Sequence, residues 1–219
     1  MIEDFKEVKN FLTEAELTEI ENKIYEYSDL FKPINQYTRL KNIDWPFEEP
    51  YVFGDALPYL QNHSQEEINW DIQEILSKEF TWVYEKIISS LCDTFPHIKE
   101  FKFTSGLPKP GFHIFHKPQE ELREFKWHND TSILEWKHGI DLTDVWSLII
   151  PITVPSYRLF LEYMENDKEK NYYYNLGSMH LWPSTVEHRI GTIPKHSGDK
   201  RITMQGHFYT KNNTGYIYF

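Results

Sequence analysis

The feature that most constrains this chain is a change of texture near residue 100. Beyond it, short runs of β-branched and aromatic residues alternate with turn residues, the pattern of short strands joined by tight connections. The runs span 101–104, 111–116, 124–130, 145–152, 157–163, 179–182, 186–190, 201–209 and 216–219. Eight or nine such strands in about 120 residues predict a sandwich or jelly roll rather than a parallel α/β sheet. Before residue 100 the pattern is helical. Thr13-Glu14-Ala15-Glu16 has the form of a capping box, and Leu17, Ile20, Ile24 and Tyr27 follow at helical spacing. Residues 28–62 read as irregular, broken by Pro33, Pro46, Pro50 and Pro58. Ser64-Gln65-Glu66-Glu67 has the form of a second capping box, and the apolar spacing from Ile68 predicts one helical stretch to about Cys92. No linker, repeat or low-complexity tract separates the two parts. The expectation is therefore one domain over 1–219, mainly β with N-terminal helices (α+β). Residues 1–100 serve as helical support packed on one outer face, and 101–219 form a jelly-roll core.

Composition excludes some classes. Forty per cent hydrophobic and 16% aromatic residues can fill a sizeable core, which argues against disorder. A net charge of −11 argues against nonspecific binding to nucleic acid or an anionic membrane, since both need a basic surface. Nearly all the acidic excess lies in residues 1–110, with 21 acids and 11 bases, against 13 and 12 in the rest. This reads first as solvated helix faces and second as steering of a cationic substrate. The single cysteine, Cys92, permits no internal disulfide and suits a reducing compartment. Met1-Ile2-Glu3-Asp4-Phe5 lacks the form of a signal peptide. The longest apolar run, Val145 to Pro155, is interrupted by Ser147 and Pro151 and is too short for a membrane helix. The expected location is cytoplasmic.

Ten histidines raise the question of metal chemistry. His63, His97 and His196 sit in polar loop-like stretches, and His138 precedes Gly139 in a turn pattern. His113 and His116 are three apart, so a regular strand puts them on opposite faces. His128 and Asp130 are two apart, so a strand projects an imidazole and a carboxylate side by side. That is two of the three ligands of a two-histidine, one-carboxylate iron site. Alone the pair is weak, because a histidine-rich chain carries His-x-Asp by chance. A later histidine, His188, is placed to be the third ligand. Beyond it Arg201 and Thr203 share one strand face, a guanidinium beside a hydroxyl, as a buried carboxylate requires. On a strand antiparallel to that of His188, they predict a pocket for a small dicarboxylate near the metal. Gln205 and His207 continue this face and read as filling the barrel.

With these residues the sequence resembles the Fe(II)- and 2-oxoglutarate-dependent oxygenase superfamily, in its prolyl-hydroxylase-like and phytanoyl-hydroxylase-like branches. The resemblance rests on His128-Asn129-Asp130, His188 and Arg201-Ile202-Thr203. It is joined by the lead-in Leu176-Gly177 and Met179-His180-Leu181-Trp182-Pro183-Ser184, and by the opening Phe11-Leu12-Thr13-Glu14-Ala15-Glu16-Leu17.

The resemblance implies a double-stranded β-helix with the metal at one mouth. His128, Asp130 and His188 would hold Fe(II), and Arg201 with Thr203 would take the distal carboxylate of 2-oxoglutarate. Members often add a tyrosine, asparagine or other polar group from the strand before His-x-Asp. Here that strand offers His113 and His116, and His116 is taken as a cosubstrate or substrate contact. The charged segment 117–124 reads as a solvated loop in preference to a lid. The implied reaction is a dioxygenase's, hydroxylation by default, consuming O2 and 2-oxoglutarate and releasing succinate and CO2. The substrate would be an amino acid, a peptide side chain or a natural-product-like small molecule. Asp130 bears on this, because related halogenases lack that carboxylate. Two other readings stay open: a cupin-like metalloenzyme that does not use 2-oxoglutarate, and a non-catalytic jelly-roll binding protein. The pairing of Arg201 with Thr203 speaks against both. Oligomeric state is not legible.

Overall fold

Thr13 caps the first helix as its sequence predicts. Its hydroxyl accepts from the Glu16 N–H at 3.3 Å, and the Glu16 carboxylate accepts the Thr13 N–H at 2.7 Å. The computed structural model of the chain describes residues 5–36, 50–60, 64–115, 126–154, 159–191 and 198–219. In order it runs β1 (Lys6–Val8), α1 (Glu14–Glu26), β2 (Lys32–Pro33), β3 (Tyr51–Phe53), α2 (Trp70–Glu79), α3 (Thr81–Thr94), β4 (Glu100–Phe103) and β5 (Gly111–Phe115). There follow α4 (Ile133–Trp136), β6 (Val145–Thr153), β7 (Phe160–Glu165), β8 (Lys168–Tyr173), β9 (Met179–Pro183), β10 (His188–Ile190), β11 (Arg201–Lys211) and β12 (Thr214–Tyr218).

The strands form two sheets, antiparallel at every pairing but β4 with β12. The larger has nine strands in the order β1-β9-β6-β11-β5-β3-β2, with β12 beside β11 and β4 beside β12. The smaller is β10-β7-β8. The fold is thus mainly β with few helices.

Period-two alternation along the central strands decides what goes where. Ile202, Met204 and Phe208 of β11 share a core with Phe112 and Ile114 of β5 and Leu148 and Ile150 of β6. Leu17, Ile20 and Ile24 of α1, Leu76 of α2, and Val83, Ile87 and Leu91 of α3 join the same core. The helices therefore cover one face of the large sheet, as expected. On the opposite face, Ile149 and Trp182 pack with Leu161 and Tyr163 of the small sheet. The polar members of that face, His113, Ser147, Arg201, Thr203 and His207, are all buried. A buried polar row costs free energy unless it is matched, so this face is where function is to be sought.

Several expectations need correction. Residues 1–100 are not only helical support, since β1, β2 and β3 add strands to the large sheet. The single stretch from Ser64 to Cys92 is three pieces. The Ser64 hydroxyl accepts from Glu66 N–H at 3.2 Å and caps a 3-10 turn. Asn69 then restarts the chain by accepting the Ile72 N–H at 3.3 Å as the cap of α2. Phe80, at φ −115° and ψ 20°, separates α2 from α3. The Thr81 hydroxyl bonds back to the Ser77 carbonyl across this joint, a pairing that bends helices.

The run 124–130 is not a strand where it is described. It contributes one isolated bridge, His128 to His188, and residues 116–125 lie outside the described residues. The strand β8 went unpredicted because Lys168-Glu169-Lys170-Asn171 lacks β-branched residues. It is set by a turn in which Asn166 and Asp167 both have positive φ, 51° and 58°, as a two-residue hairpin demands. Gly177 turns the chain into β9. Its φ is +68°, and a Cβ there would meet the Leu12 carbonyl oxygen at 2.7 Å. Finally, β10 and β11 lie in different sheets, so the His188 and Arg201 strands are not antiparallel partners. No described helix is long and apolar enough to cross a membrane.

Candidate metal centre

Backbone pairing brings the three predicted ligands together. His128 N–H donates to His188 O at 3.0 Å and His188 N–H to His128 O at 2.9 Å. Two residues on, Asp130 N–H donates to Ser184 O at 3.2 Å. The His-x-Asp segment thus lies antiparallel to the chain entering β10, and all three side chains converge. Ligand atoms of His128, Asp130 and His188 lie within 4.8 Å of one another. His188 Nε2 is 3.4 Å from Asp130 Oδ2, and His128 Nε2 is 3.9 Å from Asp130 Oδ1.

Each imidazole has its orientation fixed. His128 Nδ1 lies 2.9 Å from Lys126 O, and His188 Nδ1 lies 2.9 Å from Val186 O. A carbonyl only accepts, so Nδ1 carries the proton and the neutral ring presents its lone pair at Nε2. Metal-ligating histidines are held in the same way, the far ring nitrogen donating to a carbonyl or carboxylate. Burial lowers the His188 pKa, with the Asp130 charge opposing, and so favours the neutral ring that can ligate. Burial works to raise the Asp130 pKa. The facing imidazoles of His188, His207 and His128, with the Ser147 hydroxyl, outweigh it and bring the carboxyl down to about 2. Of the three side chains His128 is the accessible one, 49% exposed, against 14% and 6% for Asp130 and His188.

Arg201 and Thr203 lie on the inner face of β11, at 2% and 0% exposure. The Arg201 guanidinium sits 5.2 Å from the Phe115 ring centre. Thr203 Oγ1 accepts from Gln205 Nε2 at 3.1 Å, which leaves its own O–H free to donate. The charges of Arg201 and Asp130 both act on the phenols of Tyr59 and Tyr174, whose pKa values are raised first by burial. Both also act on His113, which burial depresses to about 3. The Asp130 carboxylate and the Arg201 guanidinium are thus both felt by the same buried side chains. His116 lies outside the described residues.

Sequence reasoning missed part of this shell. Ser147 had been noted only as a break in an apolar run, yet its hydroxyl donates to Asp130 Oδ2 at 2.5 Å. Gln205 and His207, expected to fill the barrel, instead bond to Thr203 and Ser147. Tyr59 bonds to His113 Nε2 at 3.1 Å from a segment expected to be irregular. Tyr174 follows β8, and Trp182 lies edge-on to His188 with ring centres 5.5 Å apart. The Tyr174 hydroxyl and the Trp182 indole N–H are buried with no hydrogen-bond partner among the described residues. Only period-two alternation from Arg201 pointed to any of these, and only to Gln205 and His207.

No family model matches the chain, and no curated protein matches it. Among solved structures it is similar to 2-oxoglutarate-dependent oxygenases. A prolyl-4-hydroxylase of Pseudomonas putida matches at 11% identity over 95% of this chain and 94% of that one, with a TM-score of 0.48. A truncated viral collagen prolyl hydroxylase of Paramecium bursaria Chlorella virus-1 matches at 12% identity over 95% and 91%, with a TM-score of 0.47. An N-substituted L-amino acid dioxygenase of Burkholderia ambifaria, solved with alpha-KG, matches at 10% identity and a TM-score of 0.39, over 51% of this chain. The match spans about half of that dioxygenase's length, 52%. At these scores the likeness carries no chemistry with it, and what the site can do is read from its own side chains.

Proposed function

We propose that the chain is an Fe(II)- and 2-oxoglutarate-dependent oxygenase, a hydroxylase with a double-stranded β-helix in a single domain over 1–219. The observation that carries this reading is the donor set. Two imidazoles with Nδ1 tied to carbonyls and one ionised carboxylate, all within 4.8 Å, are a facial triad for non-haem Fe(II). The chemistry such a centre supplies is oxidation of a substrate C–H bond by O2, coupled to conversion of 2-oxoglutarate into succinate and CO2.

The chain's own residues fit the cosubstrate as well. A dicarboxylate needs a cationic partner beyond the metal, and Arg201 is a buried guanidinium with the Thr203 O–H beside it. The buried Tyr174 hydroxyl, without a partner among the described residues and subject to the Arg201 charge, is a further donor for the same anion. In this assignment His128, Asp130 and His188 hold the metal, Arg201 and Thr203 take the distal carboxylate, and Tyr174 assumes the part expected of His116. Trp182, edge-on to His188, gives the reacting centre an apolar wall that helps to exclude water. The substrate class is an amino acid, a peptide side chain or a small molecule, reached from the open His128 side.

The test is anaerobic addition of Fe(II) and 2-oxoglutarate to the metal-free protein. A visible metal-to-ligand charge-transfer band that needs both additions is the expected result. Folded, iron-loaded protein without the band would move the assignment to a cupin-like metalloenzyme or a binding protein.

A further inference from the structure

We propose that Ser147 is a positioning residue for the metal centre, holding the Asp130 carboxylate in its ligating pose at the head of a buried hydroxyl relay. This rests on the oxygenase reading and adds to it a residue outside the ligand set. Ser147 is the only polar side chain of β6 before Thr153, in Val145-Trp146-Ser147-Leu148-Ile149-Ile150-Pro151-Ile152, and it is 1% exposed. A hydroxyl in such a strand forgoes apolar burial and needs partners.

Its partners give the relay a direction. A serine hydroxyl has one proton, and Asp130 Oδ2, an ionised acceptor 2.5 Å away, takes it. Toward its other two neighbours Ser147 Oγ can then only accept. The Ser184 hydroxyl, 2.8 Å away and fully buried, therefore donates to it. His207 Nδ1, 3.3 Å away, carries its proton and does the same. Two donors thus polarise the hydroxyl that grips Asp130. Ser184 also acts through the backbone, accepting the Asp130 N–H and donating its own N–H to Val145 O at 2.9 Å. The carboxylate is held at Oδ2 by the large sheet, while Oδ1 faces His128. The consequence is a carboxylate whose rotation is fixed before the ion arrives.

The experiment titrates Co(II) into metal-free wild type, Ser147→Ala, Ser147→Thr and Ser184→Ala without 2-oxoglutarate, reading affinity and the visible cobalt bands. Loss of an outer-shell partner of this kind weakens metal binding about 10–100-fold. Ser147→Ala should fall in that range with altered bands, while its metal-free unfolding temperature stays close to wild type. Ser147→Thr, which keeps the hydroxyl, should bind like wild type. Ser184→Ala, acting only through Ser147, should lose less than Ser147→Ala; it carries the same test if the threonine is not accommodated. Wild-type affinity and bands in Ser147→Ala would overturn the proposal. So would a Ser147→Thr variant that folds yet binds as weakly as Ser147→Ala, or a larger loss in Ser184→Ala. If wild type takes up neither Co(II) nor Fe(II), it is the oxygenase reading that has failed.

Discussion

Replacing Arg201 with methionine tests the proposed cosubstrate site at its centre. The side chain is 2% exposed and lies over Phe115, with Thr203 two residues along the same strand face. Methionine keeps most of the packed stem and removes the charge. A bound carboxylate then loses a buried cationic partner, a change that costs about 3–5 kcal/mol. At ~1.4 kcal/mol per decade this is a loss of two to three and a half decades in 2-oxoglutarate affinity. Arg201→Lys should recover only part of it, because an ammonium offers a point charge and no planar fork. The assay titrates 2-oxoglutarate anaerobically into Fe(II)-loaded protein and follows the charge-transfer band. Iron affinity is measured separately and should hold. A Met variant with 2-oxoglutarate affinity within threefold of wild type would refute the reasoning. Arg189 is a poor substitute, because its guanidinium is already paired with Glu162 at 2.5 Å and stacked 4.4 Å from the Trp127 ring.

Three further outcomes are expected. His128→Ala and His188→Ala should each abolish stoichiometric Fe(II) binding with far-UV circular dichroism unchanged, the buried His188 costing more stability; full iron occupancy in either would break the triad. His113 has a folded pKa of about 3 against an unfolded value near 6.5, so the unfolded chain binds the proton first and apo stability falls as pH drops below about 6.5. That amounts to about 2 kcal/mol by pH 5, and His113→Gln should flatten the urea-measured slope by that amount; an unchanged slope rules the assignment out. Asp130→Glu and Asp130→Gly should both suppress substrate hydroxylation, the first by displacing the ligand oxygen and the second by removing it. Only the Gly variant should keep forming succinate, and then with chloride present, as read by mass spectrometry; unimpaired hydroxylation by Asp130→Gly makes Asp130 an ordinary residue.

What could be read in the sequence follows from range. Thr13 with Glu16 is a local signal within one turn, and it held to the atom. His128 with Asp130, and Arg201 with Thr203, are two-residue spacings on extended chain, and each pair does face one way. Period-two alternation also located the strand bodies of β5, β6, β9 and β11. Legibility failed where partners are far apart in sequence. Nothing near Ser147 announces Asp130, Ser184 and His207, because the pairings that gather them join separate strands. Tyr59 and Tyr174 enter the site from a 3-10 turn and a strand end, which carry no periodic signature. The strand β8 is stabilised by its hairpin turn and by the Lys170–Glu165 ion pair across it, not by apolar alternation. Asn69 and Phe80 divide the second helix through local dihedrals that the apolar spacing runs straight across.

The single bridge between His128 and His188 has a thermodynamic corollary. It fastens residues 60 positions apart (188 − 128), and among the described residues it is the only ladder contact of the His128 segment. An ion bound there is a removable cross-link that closes a long loop of the chain, much as a disulfide does. Its contribution scales with free ion as RT ln(1 + [L]/Kd), about 2.7 kcal/mol at a hundredfold excess over Kd. Chelation should therefore do more than silence the site. It should loosen the stretch around His128 on the small sheet, while Asp130 stays tied through Ser147 and Ser184, so that protease cleavage near Trp127 reports the occupancy of the centre.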